Sequence, residues 1–581
     1  MTNLEQYTIP SPLAPLLTVL SGVSLAINAD HIGLLVWKRK EVVYRSLYFY
    51  FLLLVVSVYT VLVARFLSPQ SSLLIGLHLA LIISAGFFLI KKGNVLFKEL
   101  NALLFQFDKR NYLYLAIGLT LLCIFLVSLS TPTDADSINY HLGAPAYWLS
   151  RHQLKIPYDI FHYHLIGFGE ILNLFGLRLG CSQYGAFIQF IGLVCMLRAI
   201  TSLYPNDSAP LIMSYLSIPV LLFLIGGQKH QLTGIACSTI LFHILSNENI
   251  VIRRTDWLLI SLCLAFYIQL KYSFLLSGFV LTVFIFFRSH WDVKMILIHS
   301  MILCCLLAPL AVIKYHDVHN PLSPLLFNKT EELNSFMTSL SHYKESRFAF
   351  PVNLFIPDSL GHIDTVLGAP VFCVLSALFF SWKTFSTRIL VFFLGISLMA
   401  SQHTSRFLLE IVYWTFPASI HLCTSNKIKQ VADSIIKIQF LLLIPLWIFG
   451  AFRLGPSILS PYFENSIKSN YSYGYAAGQW LDSILDRRAC VYTDMTAHAW
   501  IPRPYHALEY TNTNSKPLII KDTIHTEYEK HYLVLVQGQH DWIHKDVVDL
   551  LDSKEFNVGL RNPFNKKRIR LNVYEIKDHH D

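Results

Sequence analysis

LAIGLTLLCIFLVSLSTPTDADSINYH, residues 115–141, passes from unbroken hydrocarbon to an acidic, hydroxyl-rich loop without a transition. The block Leu115–Leu129 carries no charge. At 1.5 Å per residue it comes close to crossing a hydrocarbon layer roughly 30 Å thick. Leu52–Leu67 and Leu73–Ile90 are blocks of the same kind. Of the 581 residues 54% are hydrophobic and only 14% charged, with a mean hydropathy of +0.47. Soluble domains are about a quarter charged, and a water-soluble core has no use for so many apolar runs. The chain therefore reads as mainly α, a polytopic transmembrane bundle of about 12–14 helices.

Membrane helices are expected near 12–36, 46–66, 71–90, 111–130, 183–203, 208–226, 231–246, 256–270, 273–287, 293–313, 365–382, 388–402, 405–423 and 433–452. The net charge of +9 does not point to nucleic acid, because the basic residues fall in short clusters between apolar runs. Lys38–Lys40, Lys91–Arg110, Arg253–Arg254, Arg288–Lys294, Lys383–Arg388 and Lys427–Lys429 all fall on one side under a single alternation. That side is cytoplasmic by the positive-inside rule. Segments 131–182, 314–364 and 453–581 then lie outside. The stretch 164–180 is short and carries Glu170 and Arg178, so it is expected at the outer surface or dipping part way into the bilayer.

Three regions follow: an N-terminal transmembrane extension (1–110), a transmembrane core (111–455) with outer loops 131–182 and 314–364, and a polar tail (456–581). In the tail, short β-branched runs (490–493, 517–521, 532–537, 569–576) alternate with helical stretches (474–487, 544–552). This is the pattern of a small α/β domain outside the membrane, long enough to hold its own core. The cysteines lie mostly within apolar runs and show no zinc spacing. The N-terminus lacks a charged signal-peptide region, and the chain as a whole suggests a bacterial inner membrane.

The chemistry is concentrated in 131–164, where Asp134 and Asp136 are followed by Tyr140, His141, Tyr147, Trp148, Arg151, His152, His162 and His164. Helical spacing puts Asp136, Tyr140 and Tyr147 on one face. One carboxylate of such a pair can take a proton from an acceptor while the other orients a partner or helps hold a divalent cation. The same two residues could instead cap the following helix.

From Asp134 through Ala186 the chain resembles the GT-C superfamily of membrane glycosyltransferases, which includes protein O-mannosyltransferases and lipid A aminoarabinose transferases. Asp136-Ser-Ile-Asn-Tyr140 matches the order of that family's first outer loop. Tyr163–Gly167, Phe175-Gly176 and Tyr184-Gly185-Ala186 follow in sequence, and Lys271-Tyr272, Asn320–Pro324 and Arg406–Leu409 resemble later elements. The resemblance implies a GT-C-type bundle that transfers a sugar from a polyprenyl-phosphate donor to a glycan, lipid or protein acceptor at the bilayer's outer face. Asp136 would be the general base and Asp134 its catalytic partner. Tyr140, His141, His164, His230, Lys271 and Arg406 would bind substrate, the basic groups at the rim facing the lipid phosphate. No cofactor is certain; Mg or Mn is the candidate, with Asp134 and Asp136 as ligands. Where the family has an acidic residue in its second outer loop, this chain has Gln228-Lys229-His230-Gln231, and more helices than usual precede the first outer loop. Arg406 could serve phosphate or pair with Glu410 one turn on. A polysaccharide polymerase or ligase, and a lipid or solute transporter, are the competing readings.

Overall fold

The computed structural model describes residues 2–105, 112–158, 160–324, 350–371, 384–399, 404–422, 426–508, 528–536, 548–559, 562 and 568–577. The expected strand 517–521 and most of the expected helix 365–382 lie outside these residues.

The apolar blocks are helices. Leu13–Trp37, Val42–Phe66, Ser72–Phe105, Tyr112–Leu129, Tyr184–Leu203, Val293–Val318 and Asn426–Leu454 are the long ones. Among the described residues, 7 helices are long and apolar enough to cross a membrane. Shorter apolar helices, Gln231–Ser246, Arg254–Leu270, Leu275–Arg288, Phe385–Met399 and Ser405–Leu422, pack among them. Leu115 and Ile90 are 76% and 88% exposed, which suits side chains whose solvent is lipid.

The expected helix 208–226 is broken. Ser208–Leu216 ends, Pro219 follows, and only the single turn Leu221–Leu224 resumes before an irregular loop reaches Gln231. The residue before a proline is pushed out of the α region, and proline has no N–H to continue the ladder. The freed Val220 N–H donates to Val366 O at 3.1 Å. The awkward stretch 164–180 contains the helix Phe168–Arg178, 11 residues long and buried on nearly every side. At 1.5 Å per residue it reaches only about 16 Å, too short to cross. Arg178 donates to Gln70 O at 2.6 Å.

Contacts sort the loops into two ends. At one, Arg39 meets the Asp256 carboxylate and donates to Val251 O at 2.6 Å, while Arg288 reaches the carbonyls of Asn247 and Ile250. Three of the basic clusters therefore gather together. At the other end, Tyr473 N–H donates to Thr133 O at 3.1 Å, Lys314 to His164 O at 2.6 Å, and Asn562 to Gly361 O at 2.6 Å. Both internal loops and the tail thus share that end.

The tail contributes helices Pro461–Tyr471 and Tyr475–Ile484 and a five-stranded sheet. Its strands are β1 (Ala489–Thr493), β2 (Tyr505–Ala507), β3 (Lys530–Val536), β4 (Val548–Asn557) and β5 (Arg568–Ile576), in the order β2-β1-β3-β5-β4. β2, β1 and β3 run parallel; β5 is antiparallel to β3 and β4. Of the helix expected over 544–552, residues 544–547 lie outside the described residues and the rest is strand: Val548–Asn557 is the edge strand β4, with a register shift between Leu550 and Asp552. Side chains alternate across the sheet, as a pleat requires. Val491, Val534, Leu571 and Val573 face the main core of the molecule, whereas Cys490, Tyr492, Leu533 and Leu535 form a small second cluster on the far face.

Candidate functional site

Asp134 and Asp136 lie at the start of the loop that follows Tyr112–Leu129. Asp134 accepts the Ser137 N–H at 3.1 Å, so the capping role open to this pair belongs to Asp134. Ser137–His141 is a single π-helical turn, closed by Leu142 N–H donating to Ser137 O at 2.8 Å. A π turn inserts a residue relative to an α-helix and shifts the register. Tyr147 consequently packs edge-on against Tyr163 and Tyr505 and does not continue a face from Asp136.

The broken helix at 217–220 delivers the loop that completes the site. Gln228 N–H donates to Ser137 Oγ at 2.6 Å, Gln228 O accepts from Asn173 Nδ2 at 2.9 Å, and Gln189 Nε2 donates to Gly227 O at 2.6 Å. Held in this way, Lys229 points its Nζ to 3.2 Å from Asp134 Oδ1 and 3.0 Å from Asp136 Oδ2. Its side chain is 0% exposed, and the Nζ also lies 3.4 Å from the centre of the Phe223 ring. Arg406 Nη1 stands 3.3 Å from Asp136 Oδ2. Asp136 is 33% exposed and so remains open to a reactant. Burial opposes its charge, but Lys229 and Arg406 together hold its carboxyl well below the usual carboxylate range. Arg406 therefore serves Asp136. Glu410 is satisfied instead by the hydroxyls of Ser238 and Tyr267.

Lys271 lies between helices Arg254–Leu270 and Leu275–Arg288, half-buried, with no hydrogen bond or ion pair among the described residues. Burial first, and the nearby Arg406 second, push its ammonium down to about 7. Its field reaches Asp136.

The histidines divide. His141 Nδ1 lies 2.5 Å from Glu170 Oε1, and Glu170 is anchored by the Gly167 N–H at 2.7 Å. Burial keeps the His141 ring below its usual range, although Glu170 pulls the other way. Its Nε2 is buried without a hydrogen-bond partner among the described residues. His230 bonds Asn173 Oδ1 at 3.0 Å; burial, then His141, push it down to about 3, so it carries no charge for a phosphate at neutral pH. His164 is tied to the second loop, bonding Ser323 Oγ at 2.8 Å. Tyr140 lies tilted against His141 and stacks on His162, at 3.9 Å and 5.6 Å between ring centres. Asp134, Asp136, Lys229 and Arg406 thus form one ionic cluster with Lys271 nearby, and His164 stands with a different set of partners.

A family model for the DUF1420 N-terminal domain matches residues 83–465. The chain belongs to the DUF1420 family. That span holds every member of the DUF1420 protein's ionic cluster, while the C-terminal sheet lies beyond it. No curated protein matches the chain. Among solved structures, ArnT from Cupriavidus metallidurans in the apo state matches with 12% identity and a TM-score of 0.45, covering 79% of this chain and 97% of that one.

Sequence reasoning marked Asp134, Asp136 and Arg406 but not their meeting with Lys229. Lys229 stood out as a basic residue where an acid was expected and as one candidate to face the lipid phosphate. Glu170 marked its helix as awkward. Lys314, which donates to His164 O, Ser323 O and the Tyr272 hydroxyl, carried no signal beyond a lysine near the end of an apolar run.

Proposed function

We propose that this DUF1420 protein is a membrane glycosyltransferase. It moves a sugar from a polyprenyl-phosphate donor to an acceptor at the outer face of a bacterial inner membrane, with Asp136 as general base. The reading rests on one observation: a partly exposed carboxylate held by Lys229 and Arg406, at the end of the bundle where both internal loops and the tail gather. The order of features around Asp136-Ser-Ile-Asn-Tyr140, which resembles the GT-C first outer loop, supports it.

In the reaction the acceptor oxygen attacks the anomeric carbon. The acceptor O–H proton passes to Asp136, and the bond from the anomeric carbon to the phosphate oxygen breaks with its electron pair left on phosphate. A carboxylate held by two cations is a weak base. The donor corrects this. Its phosphate competes for Arg406 and Lys271, and as they turn toward it the proton affinity of Asp136 rises. Fixed cations then meet charge where it develops. The C-terminal sheet covers the outer loop, with the Tyr163 and Tyr505 hydroxyls 2.6 Å apart, and is placed to shape the acceptor's entry.

The test is sugar transfer in proteoliposomes supplied with polyprenyl-phosphate sugars. Asp136→Asn is expected to lower turnover by about 10²–10⁴-fold while donor binding persists. Wild-type turnover in Asp136→Asn removes its role as base. Absence of transfer by the wild-type protein from every polyprenyl donor removes the glycosyltransferase reading.

A further inference from the structure

Two carboxylates so close in sequence invite a divalent cation, and the family resemblance raises Mg or Mn at Asp134 and Asp136. The donor set here does not fit one. An ion shared by the two carboxylates would sit about 2.0–2.6 Å from their oxygens. Lys229 Nζ already occupies the space between them, 3.2 Å from Asp134 Oδ1 and 3.0 Å from Asp136 Oδ2. Its side chain is fully buried, and its loop is clamped by Ser137, Asn173 and Gln189. Asp134 and Asp136 are moreover balanced in charge by Lys229 and Arg406. Among the described residues no group of three or more His, Cys, Asp or Glu side chains could hold a metal ion.

We propose that Lys229 is the built-in cation of this site, holding Asp134 and Asp136 together where a divalent metal would otherwise bridge them, so that turnover requires no metal. The position of the cation stands apart from the glycosyltransferase reading; its part in turnover rests on that reading. That part is one of timing. While Asp136 is ionised, Lys229 is shared between two carboxylates. When the acceptor's proton reaches Asp136, that carboxyl becomes neutral and its hold on Lys229 ends. The positive charge is released as the leaving phosphate gains its negative charge. An interaction that strengthens only in the transition state accelerates the chemical step.

The experiment is a Mn²⁺ titration of the full-length protein in detergent, followed by electron paramagnetic resonance, with no sugar donor present. Wild type is expected to bind no more Mn²⁺ than Asp134→Asn/Asp136→Asn. Lys229→Ala opens the space and is expected to gain one Mn²⁺ site, lost again when the two Asp→Asn changes are added. A wild-type site that disappears in the Asp→Asn variant overturns the proposal, and so does a folded Lys229→Ala that gains none. If Lys229→Ala is not recovered folded, Lys229→Gln takes its place in the same titration, and the wild-type comparison decides by itself. In proteoliposomes, EDTA should change transfer by less than about twofold, while Lys229→Ala lowers it by about 10²-fold or more. An EDTA-sensitive wild type overturns metal independence. A wild type that transfers nothing removes the glycosyltransferase reading and leaves the Mn²⁺ result standing.

Discussion

Asp136 stays ionised far below neutrality while Lys271 titrates near it, and this gives the site its pH behaviour. Asp136 has a depressed folded-state pKa, so it stays ionised well below the usual carboxylate range. Its favourable pairing is present above the ordinary Asp value, near 3.9, and is lost only as pH falls toward the depressed one. Lys271 carries its charge below about 7 and loses it above. If Lys271 meets the donor phosphate, KM for the donor should rise between pH 6 and pH 8, by up to roughly tenfold per unit above the pKa. Lys271→Arg, charged throughout, should flatten that rise; a profile identical in wild type and Lys271→Arg would remove Lys271 from the donor site. At the opposite end, Asp256 is 0% exposed and paired with Arg39, itself only 6% exposed. Asp256→Ala leaves the buried guanidinium with Glu41 Oε1, 2.8 Å from its Nη1, as its remaining carboxylate and should cost about 1–3 kcal/mol, read as a fall in the melting temperature in detergent.

Two segments decide how the elements meet. The break at Pro219 converts what hydropathy reads as one helix into a short helix, one turn and the loop that carries Lys229. Hydropathy sees only the apolar run, and Pro219 was the signal within it. Gly167 sits where two elements touch: a Cβ there would stand 2.4 Å from Gln269 O and 2.8 Å from Leu270 O, both backbone atoms next to Lys271. Gly167→Ala must therefore push the end of Arg254–Leu270 away from the helix that carries Glu170. The expected cost is about 1–3 kcal/mol, with donor affinity weakened along with thermal stability. Unchanged melting and unchanged KM in Gly167→Ala would show that this contact does not position Lys271. The misread strand β4 was decided by its partner strand. VDLLDSKEFN has the charge and leucine content of a helix, yet it pairs along its length with β5. Strand pairing overrode propensity, as it often does at an exposed edge.

The membrane bundle and the tail share one hydrophobic core. Val491, Val534, Leu571 and Val573 belong to the cluster that also contains Trp148, Tyr163 and Phe175. The N-terminus adds a strap: Asn3 and Leu4 N–H donate to Ile501 O and Ala499 O at 3.1 and 2.9 Å, and Glu5 accepts from Tyr475 Oη at 2.7 Å. Truncation at residue 458 would strip one side of the 131–182 loop and expose apolar surface that water penalises at about 25 cal/mol per Å². The shortened chain should aggregate or melt well below the full chain; a monodisperse product with wild-type melting would show the tail to be energetically separate. Tyr505→Phe removes the hydroxyl 2.6 Å from Tyr163 and should cost about 0.5–1.5 kcal/mol.

The sequence alone determined that the chain is a helical membrane protein with a small α/β tail after it, because lipid and water sort residues by composition and a run of hydrocarbon needs no partner to declare itself. It also marked Asp134, Asp136 and Arg406 as chemistry, since charge beside a membrane is rare enough to be visible. Only the tertiary structure decided who meets whom. Residues Asp136, Lys229 and Arg406 are far apart in the chain, and no periodicity relates them; Arg406 had Glu410 as a local alternative one turn away. The choice was made by a broken helix, a π turn and a clamped loop. The broken helix and the clamped loop are held by hydrogen bonds whose partners lie in other segments, and such partners are not written in any local pattern.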